Sequence, residues 1–323
     1  MRHRYCFFGV VVPVLMLASV ACAAAVPTAS PGSSTAARPT DSPAATAAAA
    51  SPALPQAHDL TLGQAAGKVL VGLTVRPAQP GPNTLLVYVL PLEGPAAAAD
   101  VPLSLAVGGQ TVLLATCSRT CRTANVTLTG GEHIDVVAGG ASGGTAAFDL
   151  PTLPAQDGTA LLQQVQDHMH QLHTYHVDET LGPATPPLRA AYSFAAPDRM
   201  QLNFGDGETT VWVGPTRYTR DTLSGVWKAE DFGTSLPVPS LVWDIPASGG
   251  TYVGAHIVGA DAVDGVETHV LTFFLDLPQT PVWFQLWSDT SGLVRRASMR
   301  AQGHFMDHRY TDFDVPDSIE PPV

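Results

Sequence analysis

From residue 58 onward the chain is a succession of short β-branched and aliphatic segments, cut at close intervals by Gly, Pro, Asn and Asp, with one helical interruption. This punctuation constrains the fold more than any other feature, because segments of that length and composition read as strands. Before the interruption they cover residues 68–75, 84–90, 101–107, 112–116, 123–129, 134–138 and 145–150. Short strands at such spacing predict an immunoglobulin-like β-sandwich over residues 58–152. The interruption opens at Asp157-Gly158, where Leu161, Leu162, Val165, Met169 and Leu172 fall on one face at helical spacing. Strands follow over residues 176–181, 188–194, 199–204, 209–213, 217–221, 226–228, 252–259, 268–275, 283–288, 293–299 and 305–313. A helix followed by so long an antiparallel meander predicts a strongly curved sheet wrapped round something over residues 157–323. Residues 153–157 should be a short exposed connector between the two halves, each folding by itself.

The N-terminus sets the compartment. Arg2 and Arg4 precede an uncharged apolar run over residues 5–20, and small residues follow it. That order is a secretory signal, and the apolar run is short for a spanning helix. The stretch Leu17-Ala18-Ser19-Val20-Ala21-Cys22 resembles a bacterial lipoprotein signal over residues 1–22, in which Cys22 becomes the lipidated first residue. Ser19 departs from the Leu usual at that place. Cleavage after Ala23 or Ala25 also satisfies the A-x-A rule. The chain is therefore expected outside the cytoplasm: anchored on the outer face of the cytoplasmic membrane through a lipid on Cys22, or secreted if Cys22 is not lipidated. Residues 23–57 are almost entirely Ala, Pro, Ser and Thr and read as a disordered tether.

Charge narrows the partners. The formal net charge is −12, and removal of Arg2 and Arg4 with the signal makes the mature chain more acidic still. No basic stripe is present, so nucleic acid is not an expected partner. Of four cysteines, Cys6 and Cys22 belong to the signal and cleavage site, which leaves Cys117 and Cys121. Outside the cytoplasm that pair should be a disulfide, since two thiols alone do not make a four-ligand structural metal site.

Two family resemblances enter on particular residues. The segment V-L-V-G-L-T-V-R-P-A-Q-P-G-P-N-T-L-L-V-Y-V, with Val101-Pro102-Leu103 after it, resembles the YtkA-like sandwich domain found with copper-transport membrane proteins of the CopD/YcnJ type. The resemblance implies such a membrane protein as a partner. It transfers no metal ligands, and His58, His133 and Asp135 read as solvated. In the second half, Ala196-Pro197-Asp198-Arg199, Gly214-Pro215-Thr216-Arg217-Tyr218, Ser224-Gly225-Val226-Trp227, Leu286-Trp287-Ser288-Asp289 and Tyr310-Thr311-Asp312-Phe313-Asp314 resemble, in their order, the LolA/LppX/LprG group of envelope proteins. That resemblance implies a half-open β-barrel over residues 157–323 holding the helix, an apolar interior that carries a lipid or acyl chain, and no catalytic residue. The expected pocket is lined by Leu162, Val165 and Met169 of the helix with Trp212, Trp227, Trp243 and Trp283, and opens beside residues 236–243. Phe204, Tyr218, Phe273 and Trp287 are further candidates for the interior.

No enzyme is expected. Gly140-Ala141-Ser142-Gly143-Gly144 fits G-x-S-x-G, but a strand follows where a nucleophile elbow needs a helix. A Walker loop, H-E-x-x-H and a dinucleotide fingerprint are all missing from the sequence. No cofactor is expected on the carrier reading. The alternative is copper handling: His304, Met306 and His308 share one face of a strand, and imidazole with thioether suits Cu(I). A third reading is a structural envelope module.

Overall fold

The computed structural model describes residues 54–91, 101–140, 143–182, 187–205, 207–244, 251–277 and 280–322. The signal, Cys22 and nearly all of the tether lie outside the described residues.

The first half is a two-sheet sandwich. One sheet runs β1 (Leu60–Ala66), β2 (Val69–Arg76), β3 (Gly81–Pro91), β7 (Cys121–Leu128), β6 (Ala115–Thr116). The other runs β5 (Gln110–Val112), β4 (Leu103–Val107), β8 (His133–Ala138), β9 (Gly144–Asp149). Val71, Leu73, Leu85, Val87, Leu105, Ile134, Val136 and Phe148 fill the space between them. The P-x-x-P-G-x-N turn is closed by Asn83. Its Oδ1 accepts from the Ala78 N–H at 3.0 Å, and its Nδ2 donates to the Gln79 and Gly81 carbonyls at 2.7 and 2.9 Å. Cys117 and Cys121 form the expected disulfide.

The second half opens with β10 (Gln156–Asp157) and α1 (Thr159–Met169). The Asp157 carboxylate accepts from the Thr159 N–H at 2.7 Å, satisfying one orphan donor of the first turn. The apolar stripe of α1 is buried at Leu162, Val165 and Met169, as its periodicity requires. Then follow β11 (Thr174–Leu181), β12 (Leu188–Ala195), β13 (Arg199–Phe204), β14 (Thr209–Val213), β15 (Thr216–Arg220) and β16 (Lys228–Asp231). After a strap over residues 232–244 come β17 (Thr251–Val263), β18 (Val266–Leu277), β19 (Thr280–Asp289), β20 (Val294–Ala301) and β21 (His304–Thr311). All belong to one twelve-stranded antiparallel sheet, ordered β10-β17-β18-β19-β20-β21-β11-β12-β13-β14-β15-β16. The last strand returns to pair with β11. The sheet curves without closing into a barrel, with β10 and β16 as its two ends.

In the connector at the join between the halves, Pro154, Gln156 and Asp157 are exposed, while Leu153 is buried in the sandwich core and Gln156–Asp157 pairs with β17 at Ile257 and His256. Leu70, Leu86, Tyr88, Leu90 and Cys121 of the sandwich share a second core with Phe274, Trp283 and Phe305 of the curved sheet. This explains why β2 is buried along seven consecutive residues: Val71, Leu73 and Val75 face the sandwich core, whereas Leu70 faces the curved sheet. Gly63 and Gly72 make the close approach possible. A Cβ on Gly63 would lie 2.6 Å from Trp283 Cβ, and one on Gly72 would lie 2.2 Å from Trp283 Cζ2. Among the described residues no helix is long and apolar enough to cross a membrane.

Candidate functional site

The strand register assigns each side chain to one face of the curved sheet. One row across the concave face reads Leu271, Leu286, Ala297, His308, Glu179, Ala190. A neighbouring row reads Phe273, Phe284, Met299, Met306, Leu181. A third, nearer the β14 end, reads Tyr175, Phe194, Met200, Trp212. Most of these side chains are buried, and the face is dominated by aliphatic and aromatic groups.

The strap completes this interior. Leu236, Val238, Leu241 and Trp243 are all buried, Trp243 completely. Trp243 packs edge-on against Tyr310 with ring centroids 5.5 Å apart, and its carbonyl accepts from Tyr252 Oη at 2.7 Å. Tyr175 Oη donates to the Ser240 carbonyl and accepts from the Ser240 N–H, both at 3.0 Å. The Val238 N–H donates to the Pro197 carbonyl at 2.9 Å, and Asp244 lies 2.5 Å from His170 Nε2 of the turn after α1. These few links, rather than a strand ladder, hold the strap.

The predicted pocket residues divide between the two faces. Leu162, Val165 and Met169 face the sheet; the Val294 N–H donates to Met169 Sδ at 3.4 Å. Trp212 follows Met200 on the concave face and packs against Phe232, while Trp243 lies in the strap. Trp227 sits on the other face with Val211, Tyr218 and Ile319, and the Arg220 guanidinium lies 4.7 Å from its ring centre. Trp283 also points outward, into the join, 5.8 Å from the Tyr88 ring. Trp287 is outward too: its Nε1 donates to Asp261 at 3.1 Å, and it packs under Arg296. Strand alternation cannot say which parity faces the ligand side when both faces are covered. In β18 and β19 one face meets α1 and the other meets the sandwich.

A buried polar cluster escaped the sequence reading. His308 Nε2 lies 2.7 Å from Glu179 Oε1, Tyr192 Oη donates to Glu179 Oε2 at 2.7 Å, and His308 Nδ1 is 3.1 Å from Tyr310 Oη. Burial above all, then the Glu179 charge and the hydrogen bond to it, pushes the Tyr192 phenol well up. Tyr310 is pushed up mainly by burial, with nearby Tyr175, Glu179 and Tyr192 adding to it. The available signal was parity: Glu179 stands two residues from Val177 and four from Tyr175, hence on the same face.

His304, Met306 and His308 do share a face. His304 Nε2 lies 2.7 Å from Met306 Sδ, whereas His308 is engaged by Glu179 and Tyr310. Burial lowers the His304 pKa, the His308 charge adds to that, and Glu179 opposes it. Among the described residues no group of three or more His, Cys, Asp or Glu converges as a metal site.

Among the described residues, cavities lie away from the strap. One of about 330 Å³ sits at the join, beside Gly63, Phe148, Trp283 and Arg300. Another, about 650 Å³, lies along Asp178, Arg189, Asn203, Arg296, Asp307 and Arg309 and is strongly charged.

The chain is similar in structure to lipoprotein LppX of Mycobacterium tuberculosis, at 16% identity and a TM-score of 0.35, over 50% of this chain and 97% of that one. LprF of Mycobacterium bovis is also similar, at 16% identity and a TM-score of 0.36, over 54% of this chain and 99% of the other. A DUF1329 family protein of Desulfovibrio piger is similar at 13% identity and a TM-score of 0.24, over 50% and 95%. No family model and no curated protein matches the sequence, so the YtkA-like resemblance of the first half stays an expectation.

Proposed function

We propose that this chain is a non-catalytic cell-envelope lipoprotein that takes a lipid or acyl chain between α1 and the concave face of its curved sheet. The observation that carries the proposal is the strap. It places four buried apolar side chains against the concave face without joining the sheet as a strand. Burying Leu236, Val238, Leu241 and Trp243 contributes roughly 1.5–3 kcal/mol each, or about 6–12 kcal/mol in all. An acyl chain of about 14 methylenes contributes about 11 kcal/mol on the same scale, before the cost of association. The two are of one order, so an acyl chain can replace the strap without a prohibitive difference in free energy. Membrane attachment through Cys22, with residues 23–57 as the tether, belongs to the same proposal.

The test is titration of the folded, delipidated chain with a fluorescent fatty-acyl probe. Saturable binding is expected. Leu241→Ala weakens the strap's seat, so it should tighten probe binding tenfold or more, where loss of an ordinary lining residue would weaken it. Absence of saturable binding by the folded chain would leave the structural-module reading ahead.

A further inference from the structure

We propose that His304, Met306 and Met299 form a soft-donor site for Cu(I) at the turn end of the β20–β21 hairpin. The ligand set differs from the one read in the sequence, because His308 is committed to Glu179 and Tyr310. Met299 takes its place. It is the register partner of Met306, so the two thioethers stand on one face with Cβ atoms about 5 Å apart. His304 lies two residues before Met306 on the same face, and its Nε2 is already 2.7 Å from Met306 Sδ. Both methionines are buried, whereas His304 is half-buried and gives the cluster an approach from solvent.

Donor chemistry selects the ion. Two thioethers and an imidazole are neutral and soft, which favours Cu(I) over hard divalent cations. Zinc would ask for a fourth ligand of harder or thiolate character, and no such convergent group of His, Cys, Asp or Glu exists among the described residues. At bond lengths of about 2.0 Å to nitrogen and 2.3 Å to sulfur, a metal holds its donors further apart than the present His304–Met306 contact. Met306 must therefore swing out by about 1 Å, which its unbranched side chain allows. The proposal is reversible binding with no redox step, and its two methionines belong to the concave face that the acyl-carrier reading also uses.

The experiment is anaerobic competition for Cu(I) against a chromogenic bicinchoninate chelator, using the full exported chain with free thiols alkylated beforehand. One equivalent of Cu(I) should be withdrawn. Met306→Leu and Met299→Leu should each weaken binding tenfold or more, and His304→Asn should do the same. Met200→Leu, on the same face but remote in register, should bind as the parent does. The Leu variants keep side-chain volume, and a cooperative thermal melt verifies that each is folded. X-ray absorption of the loaded protein should show sulfur in the first shell. The proposal is overturned if the parent withdraws no copper, if the Met299 and Met306 variants bind as tightly as the parent, or if the first shell holds only nitrogen and oxygen.

Discussion

Replacing Gly72 by Ala should strain the join between the halves in a way that depends on Trp283. The added methyl would sit 2.2 Å from Trp283 Cζ2 and 2.5 Å from Cε2, where carbon atoms rest at about 3.5–4 Å. Something must move by more than 1 Å. Parting the halves would expose Leu70, Tyr88, Phe274, Trp283 and Phe305, at roughly 1.5–3 kcal/mol each. Overpacking a core costs about 1–3 kcal/mol, so the join should stay shut and hold the strain. Trp283→Ala alone should cost about 3–5 kcal/mol. In that background the clash is gone, and Gly72→Ala should be neutral or stabilising by about 0.5 kcal/mol, because Ala restricts the unfolded chain more than Gly does. The double-mutant cycle should therefore show a coupling of at least about 1 kcal/mol. Urea unfolding followed by far-ultraviolet circular dichroism measures all four proteins without relying on Trp283 fluorescence. If Gly72→Ala costs the same with and without Trp283, to within about 0.5 kcal/mol, the contact does not carry the join.

Tyr192→Phe removes the donor to Glu179 Oε2 and should destabilise by about 1–3 kcal/mol in the same denaturation assay. Reduction of Cys117–Cys121 opens a loop so short that it should cost about 2 kcal/mol or less, read as a fall in the urea midpoint. Burial works to raise the Asp289 pKa. The hydrogen bonds from Ser291, Arg295 and the Leu293 N–H, with the Arg295 charge, outweigh it and hold the carboxyl below its ordinary range. With the folded pKa depressed, its contribution is present above the unfolded value near 4 and is lost as pH falls through the folded one. Asp289→Asn should therefore flatten the parent's loss of stability below about pH 4, and an unchanged acid limb would exclude this role. Amides of β14–β16 should exchange with deuterium before those of β18–β20, since β16 is exposed along its whole length while β18 is largely buried.

Fold class was legible because period-two alternation and Gly/Pro punctuation are local signals. The helix was legible because Leu162, Val165 and Met169 recur on one face. Its end was not: the stripe runs on to Leu172, but the helix stops at Met169 and a turn carries Leu172 into the core. Facing was the harder property. Trp212 and Trp283 both occupy buried strand positions, yet one looks at the strap and the other at Gly63 and Gly72. Only the docking of the sandwich on the convex face decides this, and that docking depends on residues more than 200 positions apart. The Glu179–His308 pair was hidden for a related reason. Each residue reads as an ordinary polar position until the return of β21 to β11 sets them side by side.

The arrangement makes the curved sheet mechanically uneven. Its β18–β20 side is covered twice, by α1 on one face and by the sandwich on the other, with Trp283 keyed into the glycines of β1 and β2. The β14–β16 side has on its outer face only a small cluster of Val211, Trp227 and Ile319, and it ends in an exposed strand. The strap leaves from that weaker side, following β16, and is pinned to β11 through Tyr175 and to the β12–β13 turn through Pro197. Local opening draws on the least buried elements first. Yielding of the strap can therefore expose the concave face while the join and the paired strands beneath it stay intact. A carrier needs that division of labour: one wall that keeps its shape and one segment whose apolar side chains can be exchanged for those of a guest.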